Sequence, residues 1–553
     1  ILGQGGIISP GHSPGSIKVT SLSADPNISV TNSTGTNTFN GGIYKWERNL
    51  SVAGASGLAV VGRAGTDYDQ IIIDGDPSAS DLSGIQVKLN GGNVTAASFA
   101  RDQVRAAGAA DPTKRLVFNQ IIASRGNFAS SNIPKFNGPN TAVIKISLAH
   151  STDPNQPGID LVVDRKSYGE FAQNRNGAAF GAYLDKQLAS KYEIVGDKVG
   201  ALLHELDAYS TDSEVALRLR DINPTSAYAT MFSVNVKRAL AMSSVIDDHL
   251  DTIAAESAMS SSLKLGASLS PTMLTPTGGV AGSEKRFTAW VSGYASRSSL
   301  DASAAYGSSH ANDNGGMLGL ETRIGDLTLG AVAATGQGSA NFENPSVKVD
   351  SDHVTVGGYS SVNIGGVVVD GTALWTTSDD KSSRTGVTAS YNSSGVQLGI
   401  GVSANLLSPK SGWQVSPVAR VKYVDYSQDA FDEVGAGLPF RFGKLTGKTV
   451  LTKLGVKVGH QTALTNDVGL SLDGGAYWVH DLVSAGRGLN SGMNGADGMF
   501  RAYGRKSGAD SAQLNLGVQA TFSEAWAVRL SGQQDASSNH SETSGVFSVS
   551  LNF

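Results

Sequence analysis

The chain has 553 residues, a length that predicts more than one folded unit. Gly accounts for 67 of them without a G-X-Y period, 40% are hydrophobic and only 16% are charged, which excludes collagen and a disordered chain. A net charge of -5 gives no basic excess toward nucleic acid, zero Cys removes disulfides and thiolate chemistry, and the lack of any apolar run of about 20 residues excludes a transmembrane helix but not a membrane barrel.

The sequence opens at Ile1 with no Met and no charged region leading into an apolar one, so the expectation is a mature or truncated chain without its targeting segment. From 1 to about 165, short β-branched runs alternate with Gly, Asn, Asp and Pro: Ile7-Ile8, Ile71 to Ile73, Val143 to Leu148 and Ile159 to Val163. Runs bounded in this way predict strands. From 168 to about 265 the period changes, with Leu184 and Leu188, then Val199, Leu202, Leu203 and Leu206, then Val215, Leu217 and Leu219 at helical spacing. Asn223-Pro224 interrupts the pattern, and Thr225 is positioned to cap a further helix carrying Phe232, Val236, Leu240, Val245 and Leu250. Pro271, Pro276 and Gly278-Gly279 mark 268–283 as a linker.

From Phe287 to Phe553 the period is two. Leu514, Leu516, Val518, Ala520 and Phe522 alternate with Asn515, Gly517, Gln519 and Thr521, and Val396, Leu398, Ile400 and Val402 alternate with Gln397, Gly399, Gly401 and Ser403. About twelve such segments occur, most of 10 to 15 residues, the span of a tilted membrane strand. A soluble sandwich shares the alternation. The segments exceed ordinary strand length, and their polar faces carry Gly, Ser, Gln, Asn and cations such as Lys453 and Lys457, as a wet lumen requires. Trp290, Trp375, Trp413, Trp478 and Trp526 lie where an interfacial girdle would be. The fold class is therefore mainly β, ending in a 12-stranded antiparallel transmembrane barrel. Such a barrel has no edge to protect.

Catalytic and metal signatures are weak. Gly11-His12-Ser13-Pro14-Gly15 matches the nucleophile elbow by letter, yet the residue after Ser13 is Pro14, which has no N–H for an oxyanion hole. The nine His form no H-x-x-x-H or H-x-H pair, so no zinc site is expected. Asp67, Asp69, Asp74 and Asp76 flank Ile71 to Ile73 without the nonapeptide repeat of a calcium solenoid. Asp379-Asp380 is read as a solvated loop and Asp247-Asp248 as a solvated helix face. Phosphate-loop and dinucleotide patterns are missing, and no cofactor is expected.

The order of strand-rich region, helical segment, linker and alternating strands resembles the autotransporters, the type V secretion proteins of Gram-negative outer membranes. Ile8 to Ile17 (ISPGHSPGSI) looks like a turn near the end of many passengers, and Tyr44 to Glu47, Asp67 to Gly75 and Ile159 to Val163 look like a passenger's closing rungs. The helical region from Asn174 to Tyr228 is similar to the segment joining passenger to translocator, and Gly545 to Phe553 to the C-terminal signal read by the barrel assembly machinery. The resemblance implies a β-helix-like passenger end with possible autochaperone role over 1–165, a helical linker and pore segment over 166–284, and a translocator barrel over 285–553. It implies an assembly signal at Phe547, Val549, Leu551 and Phe553, outer-membrane lipid and periplasmic chaperones as partners, and a monomeric barrel that binds no nucleic acid. The pore would hold either the helix Thr225 to Leu263 or the linker after it. Lumen cations at Arg420, Lys422, Lys453, Lys457 and Arg529 would pair with plug acids Asp247, Asp248 and Asp251. Release by Asn cyclisation would involve Asn235, which is followed by Val236 rather than a second Asn. No enzyme activity is expected. A surface adhesin or self-association module, and a surface hydrolase whose catalytic part lies upstream, are the alternatives.

Overall fold

The computed structural model describes residues 2–4, 7–10, 14–19, 22, 24–29, 42–48, 63–77, 80–90, 95–107, 115–263, 286–303, 306–406, 412–465, 468–483, 487–522 and 525–553. The 268–283 linker and residues 11–13 of the Gly-His-Ser-Pro-Gly stretch lie outside them. Two compact units result, 1–220 with 495–498, and 221–494 with 499–553.

The first unit is a parallel coil of short strands. β1 (Leu2–Gln4) pairs with β4 (Ala24–Ser29). β2 (Ile7–Ile8), β5 (Gly42–Trp46), β7 (Ile85–Leu89) and β9 (Lys135–Phe136) stack in one parallel sheet, and β3 (Ser16–Val19), β6 (Gln70–Ile73) and β8 (Leu116–Ser124) in another. Ile17 lies beside Ile71 and Ile71 beside Ile122, so each circuit adds an aliphatic residue to one column. Between the sheets, Tyr44, Trp46, Ile71, Ile73, Val87 and Phe118 are fully buried, and α1 (Ala96–Ala107) inserts Phe99 against Trp46 at 6.3 Å. Asp69 is also buried there, its carboxylate accepting the N–H groups of Gly15 at 3.1 Å and Glu47 at 2.9 Å, which ties successive coils together.

The coil then changes its pairing mode. β10 (Ile144–His150) and β11 (Gly158–Arg165) add antiparallel strands beside β8. The switch occurs at Gln120, whose φ of 54° is left-handed and whose N–H is held at 2.7 Å by the Asp160 carboxylate. A 3₁₀ turn at Tyr168–Phe171 leads into α2 (Arg175–Lys191), α3 (Lys198–Ala208) and α4 (Asp212–Ile222). Asp207 on α3 receives both ends of the Arg165 guanidinium, at 3.0 and 2.6 Å, and the hydroxyls of Tyr168 and Tyr192, each at 2.7 Å.

The second unit begins with α5 (Thr225–Leu263) and continues as β12 (Arg286–Leu300), β13 (Ser309–Ile324), β14 (Leu327–Phe342), β15 (Val347–Ile364), β16 (Val367–Arg384), β17 (Val387–Ala404) and β18 (Trp413–Gln428). After the short β19 (Phe431–Asp432), β20 (Val434–Gly435) and β21 (Phe440–Phe442) come β22 (Leu445–Ala463), β23 (Val468–Asp481), the short β24 (Gly488–Met493) and β25 (Phe500–Tyr503), β26 (Asp510–Phe522), β27 (Trp526–Ser537) and β28 (His540–Asn552). The twelve long strands form an antiparallel meander that closes by pairing β12 with β28, from Thr288 beside Asn552 to Leu300 beside His540. They run 12 to 19 residues, longer than the alternation indicated. Period two persists through Ser- and Asp-rich stretches that have loop-like composition.

Both the start of β12 and Phe553 lie at one end, with connections 325–326, 365–366 and 464–467. At the other end lie the longest connections, 429–444 and 482–509, where β19, β21, β24 and β25 form a small sheet. These are called the turn end and the loop end below. The outer face of the barrel is apolar, with Leu320, Ile400, Val456, Leu472, Leu516 and Leu530 all exposed on it.

Candidate functional site

The lumen is filled by α5. Its N-terminus is capped by Asn223, whose side chain accepts the Thr225 N–H at 3.2 Å; the expected cap, Thr225, leaves its own hydroxyl unpartnered. Met242, Val245, Ile246, Leu250 and Ile253 form one face and pack against Trp290, Tyr294, Met317, Val332, Tyr359 and Leu374 of β12 to β16. Helical spacing places Asp247, Asp248 and Asp251 on a different face.

That face meets the predicted cations. Lys422 reaches Asp247 at 2.5 Å and also bonds Ser243. Arg529 grips Asp248 with two nitrogens, at 2.7 and 2.5 Å, and Asp473 at 2.7 Å. Arg420 pairs with Asp251 at 2.6 Å and with Asp370 at 3.1 Å, and Lys457 lies 3.7 Å from Asp251 and 3.5 Å from Asp473. Lys453 forms no ion pair among the described residues, and its ammonium sits 4.0 Å from the centre of the Tyr477 ring. It lines a cavity of about 100 Å³ beside the helix together with Lys237, Asp247, Lys422 and Glu542. The acids at 247 and 248 thus point into an ionic lumen rather than bulk water, because the surrounding wall supplies their counterions.

Toward the loop end the signs reverse. Arg238 on α5 pairs with Asp313 at 3.1 Å, and Lys237 lies 3.7 Å from Asp535 and 3.9 Å from Glu542. Neither the two helix cations nor these wall acids were singled out by the sequence, although their inward register follows from the same alternation. Asn235 is buried nearby, its amide N–H directed to Tyr426 and its carbonyl accepting Arg238 at 2.8 Å. At the mouth, Tyr228 donates to Glu433 at 3.0 Å, and Glu433 is held by Arg384 at 2.8 Å and by the Phe440 N–H at 2.8 Å. Arg505 donates its backbone N–H to Thr230 at 2.9 Å and accepts from Ser233 at 3.0 Å.

Two further expectations are corrected. Trp290 is not part of an outer girdle: it is buried, stacks over Gly319 and donates to the Tyr359 hydroxyl at 2.8 Å. A side chain at Gly319 would strike the indole, so the ring enters the lumen because its neighbour has none. Trp375, Trp413, Trp478 and Trp526 are exposed on the outside. Asp380 is not in a loop but in β16, where it is buried and accepts hydroxyls from Ser351, Ser378 and Ser393.

Phe547, Leu551 and Phe553 are exposed on the outer face of β28, with Val549 half-buried between them. Phe553 stacks on Phe287 at 6.3 Å and exchanges backbone hydrogen bonds with it at 2.9 and 3.1 Å. In the first unit Asp67, Asp69, Asp74 and Asp76 do not converge, since Asp69 is buried inward while Asp74 pairs with Lys18 and Arg125. Among the described residues no group of three or more His, Asp or Glu is arranged to hold a metal.

Residues 289–533 match the family described as the autotransporter beta-domain. No curated protein matches the chain. Similar solved structures include the translocator domain of autotransporter NalP from Neisseria meningitidis, at 18% identity over 49% of this chain and 89% of that one, with a TM-score of 0.39. The transport unit of autotransporter AIDA-I from Escherichia coli is 16% identical over 48% of this chain and 90% of its own, with a TM-score of 0.38. The beta domain of the Bordetella autotransporter BrkA is 18% identical over 48% of this chain and 99% of its own, with a TM-score of 0.38. The chain thus carries an autotransporter beta-domain over residues 289–533, closed here as a twelve-stranded barrel.

Proposed function

We infer that α5 is the segment that stays in the pore after export, with 1–165 as the C-terminal end of the passenger, 166–284 as helical linker and pore segment, and 285–553 as the translocator. The beta-domain is an outer-membrane barrel that exports a passenger to the cell surface, and it is a translocator rather than a catalyst. The observation that carries the plug reading is the meeting of Asp247, Asp248 and Asp251 with Lys422, Arg529 and Arg420 inside a closed ring. A carboxylate of an exposed helix gains little from a distant cation, whereas a pair buried as Asp247 and Asp251 are with Lys422 and Arg420 is a strong constraint.

The passenger end is read as non-catalytic and able to template folding outside the cell, where no ATP is available. Phe547, Val549, Leu551 and Phe553 are read as the signal for the barrel assembly machinery, reached with the help of periplasmic chaperones, and the barrel as a monomer in outer-membrane lipid. The adhesin and hydrolase alternatives are not favoured by the beta-domain assignment. Electrophoresis with and without boiling tests the translocator reading: folded and heated forms are expected to migrate differently. Mobility unchanged by boiling, in a protein soluble without detergent, would refute it. Phe553→Ser is expected to lower the yield of the heat-modifiable form several-fold, and an unchanged yield would remove the assembly role.

A further inference from the structure

We propose that the lumen carries a two-tier charge code that sets the depth at which the exported chain stops, and that the segment it accepts is a helix with cations about ten residues ahead of its acids. The proposal rests on α5 being the resident pore segment and adds what fixes its register. In the tier toward the turn end, the wall supplies Arg420, Lys422, Lys453, Lys457 and Arg529 against Asp370, Asp473 and Glu321, a positive excess that faces the three acids of α5, while Glu321 is itself met by His249 of α5 at 2.9 Å. In the tier toward the loop end the wall supplies Asp313, Asp535 and Glu542, and α5 supplies Lys237 and Arg238. His353 and His540 adjoin these acids, at 3.8 Å from Asp313 and 3.6 Å from Asp535.

The two tiers are separated along α5 by about ten residues, roughly 15 Å at 1.5 Å per residue. Ion pairs in the tiers span 2.5 to 3.9 Å, so sliding the helix by a single turn, about 5.4 Å, breaks both sets at once. Inverting the helix would set acids against acids and cations against cations. A single tier would mark a depth but not a direction. The pair marks both, and unpaired charges in a lumen are unfavourable enough to discriminate. The tier toward the loop end also sits directly below the contacts of Tyr228 with Glu433 and of Thr230 with Arg505, so the correct depth is the one at which the mouth contacts can form.

The chain has no Cys, so a single introduced thiol reports depth without background. Ala241, buried between the tiers, is the reporter position. Ala241→Cys in the full chain displayed on intact cells is labelled with a membrane-impermeant maleimide, in the otherwise native background and in two tier-reversed backgrounds: Asp247→Lys with Asp248→Lys and Asp251→Lys, and Lys237→Glu with Arg238→Glu. Both reversals are expected to raise the labelling rate at least tenfold. Asp248→Arg alone is expected to raise it about fivefold, and adding Arg529→Asp is expected to return it to within twofold of the start. Because a reversed tier can block assembly, the neutral set Asp247→Asn, Asp248→Asn and Asp251→Asn is run beside it, with at least a threefold rise expected. Labelling unchanged within twofold in the neutral set, with heat-modifiable mobility retained, overturns the charge code and leaves the translocator reading standing. Loss of heat-modifiable mobility in the native background would instead refute the translocator reading.

Discussion

Asp207 in the first unit offers the sharpest energetic test. Its carboxylate and the Arg165 guanidinium are almost completely buried, with side-chain exposures of 2% and 0%, and the acid accepts four hydrogen bonds from Arg165, Tyr168 and Tyr192. Asp207→Ala removes one charge and strands the other in the protein interior. An uncompensated buried ion costs about 3–5 kcal/mol. The guanidinium has no exit, because it is enclosed by the rings of Tyr168, at 5.2 Å, and Tyr192, at 6.0 Å. With a urea slope of about 2–3 kcal/mol/M, the midpoint of the first unit is expected to fall by about 1–2 M. Trp46 is the sole Trp before 290, fully buried among Tyr68, Phe99 and Phe118, and its fluorescence follows this unit in the full chain. The double variant Arg165→Met with Asp207→Leu is expected to recover most of the loss, short of about 1–3 kcal/mol for each tyrosine hydroxyl left unsatisfied. A midpoint for Asp207→Ala within 0.3 M of the parent (roughly 1 kcal/mol at that slope) would refute the reasoning.

Burial pushes the Asp69 carboxyl up to about 6 against the opposing pull of the Gly15 and Glu47 N–H groups. The folded state therefore holds the proton more tightly than the unfolded chain, and this site's stabilising contribution is present below about pH 4 and lost as pH rises to about 6, by about 3 kcal/mol. Urea midpoints of Asp69→Asn that keep the parent's slope across that window would contradict it. Gly319→Ala is expected to destabilise the barrel by about 1–3 kcal/mol by forcing the Trp290 indole away, whereas Gly316→Ala, which meets only the Ser292 carbonyl at 3.8 Å, is expected to be silent. Equal heat-modification temperatures for the two variants would dispose of the ring-over-glycine account. Leu516→Arg, on an outer side chain that is 73% exposed near the middle of β26, is expected to cost about 2–4 kcal/mol and to reduce the yield of barrel folded into lipid vesicles. Undiminished yield would mean that this face does not meet hydrocarbon.

The barrel was legible because its pattern is redundant: Leu514, Leu516 and Phe522 repeat in β26 what Leu398 and Ile400 show in β17, and one face of every strand must be apolar. The inward register of wall cations such as Lys453 and Lys457 follows from the alternation, whereas Asp247 and Asp248 read locally as a solvated helix face and were set against those cations only by the resemblance to autotransporters. Trp290 was misassigned because aromatic character suits both an interface and a lumen. Its own strand held the answer, since Ser292 and Tyr294 share its face while Val291 lies on the other. Asp380 was missed because Ser, Thr and Asp dominate that part of β16, and composition there outweighed period. In the first unit, the aliphatic strands were visible, but α1 was not, because its packing depends on Phe99 meeting Trp46 from a distant turn of the coil. The Asp207 centre joins residues 42 positions apart, which no local pattern reveals.

The joint between β12 and β28 runs from Thr288 beside Asn552 to Leu300 beside His540, while that between β27 and β28 runs from Trp526 beside Leu551 to Ala536 beside Ser541. The joint that makes the sheet a ring is therefore no shorter than an ordinary one beside it, and nothing marks it as the preferred line of tearing. A helix inside such a ring is topologically captive. Sideways escape would require unzipping a complete ladder of backbone hydrogen bonds into lipid, where the freed groups have no partners. Movement along the axis requires only that side chains change neighbours. Closure of the ring thus converts a three-dimensional docking problem into a one-dimensional one, in which the only coordinate left for the helix to settle is its height.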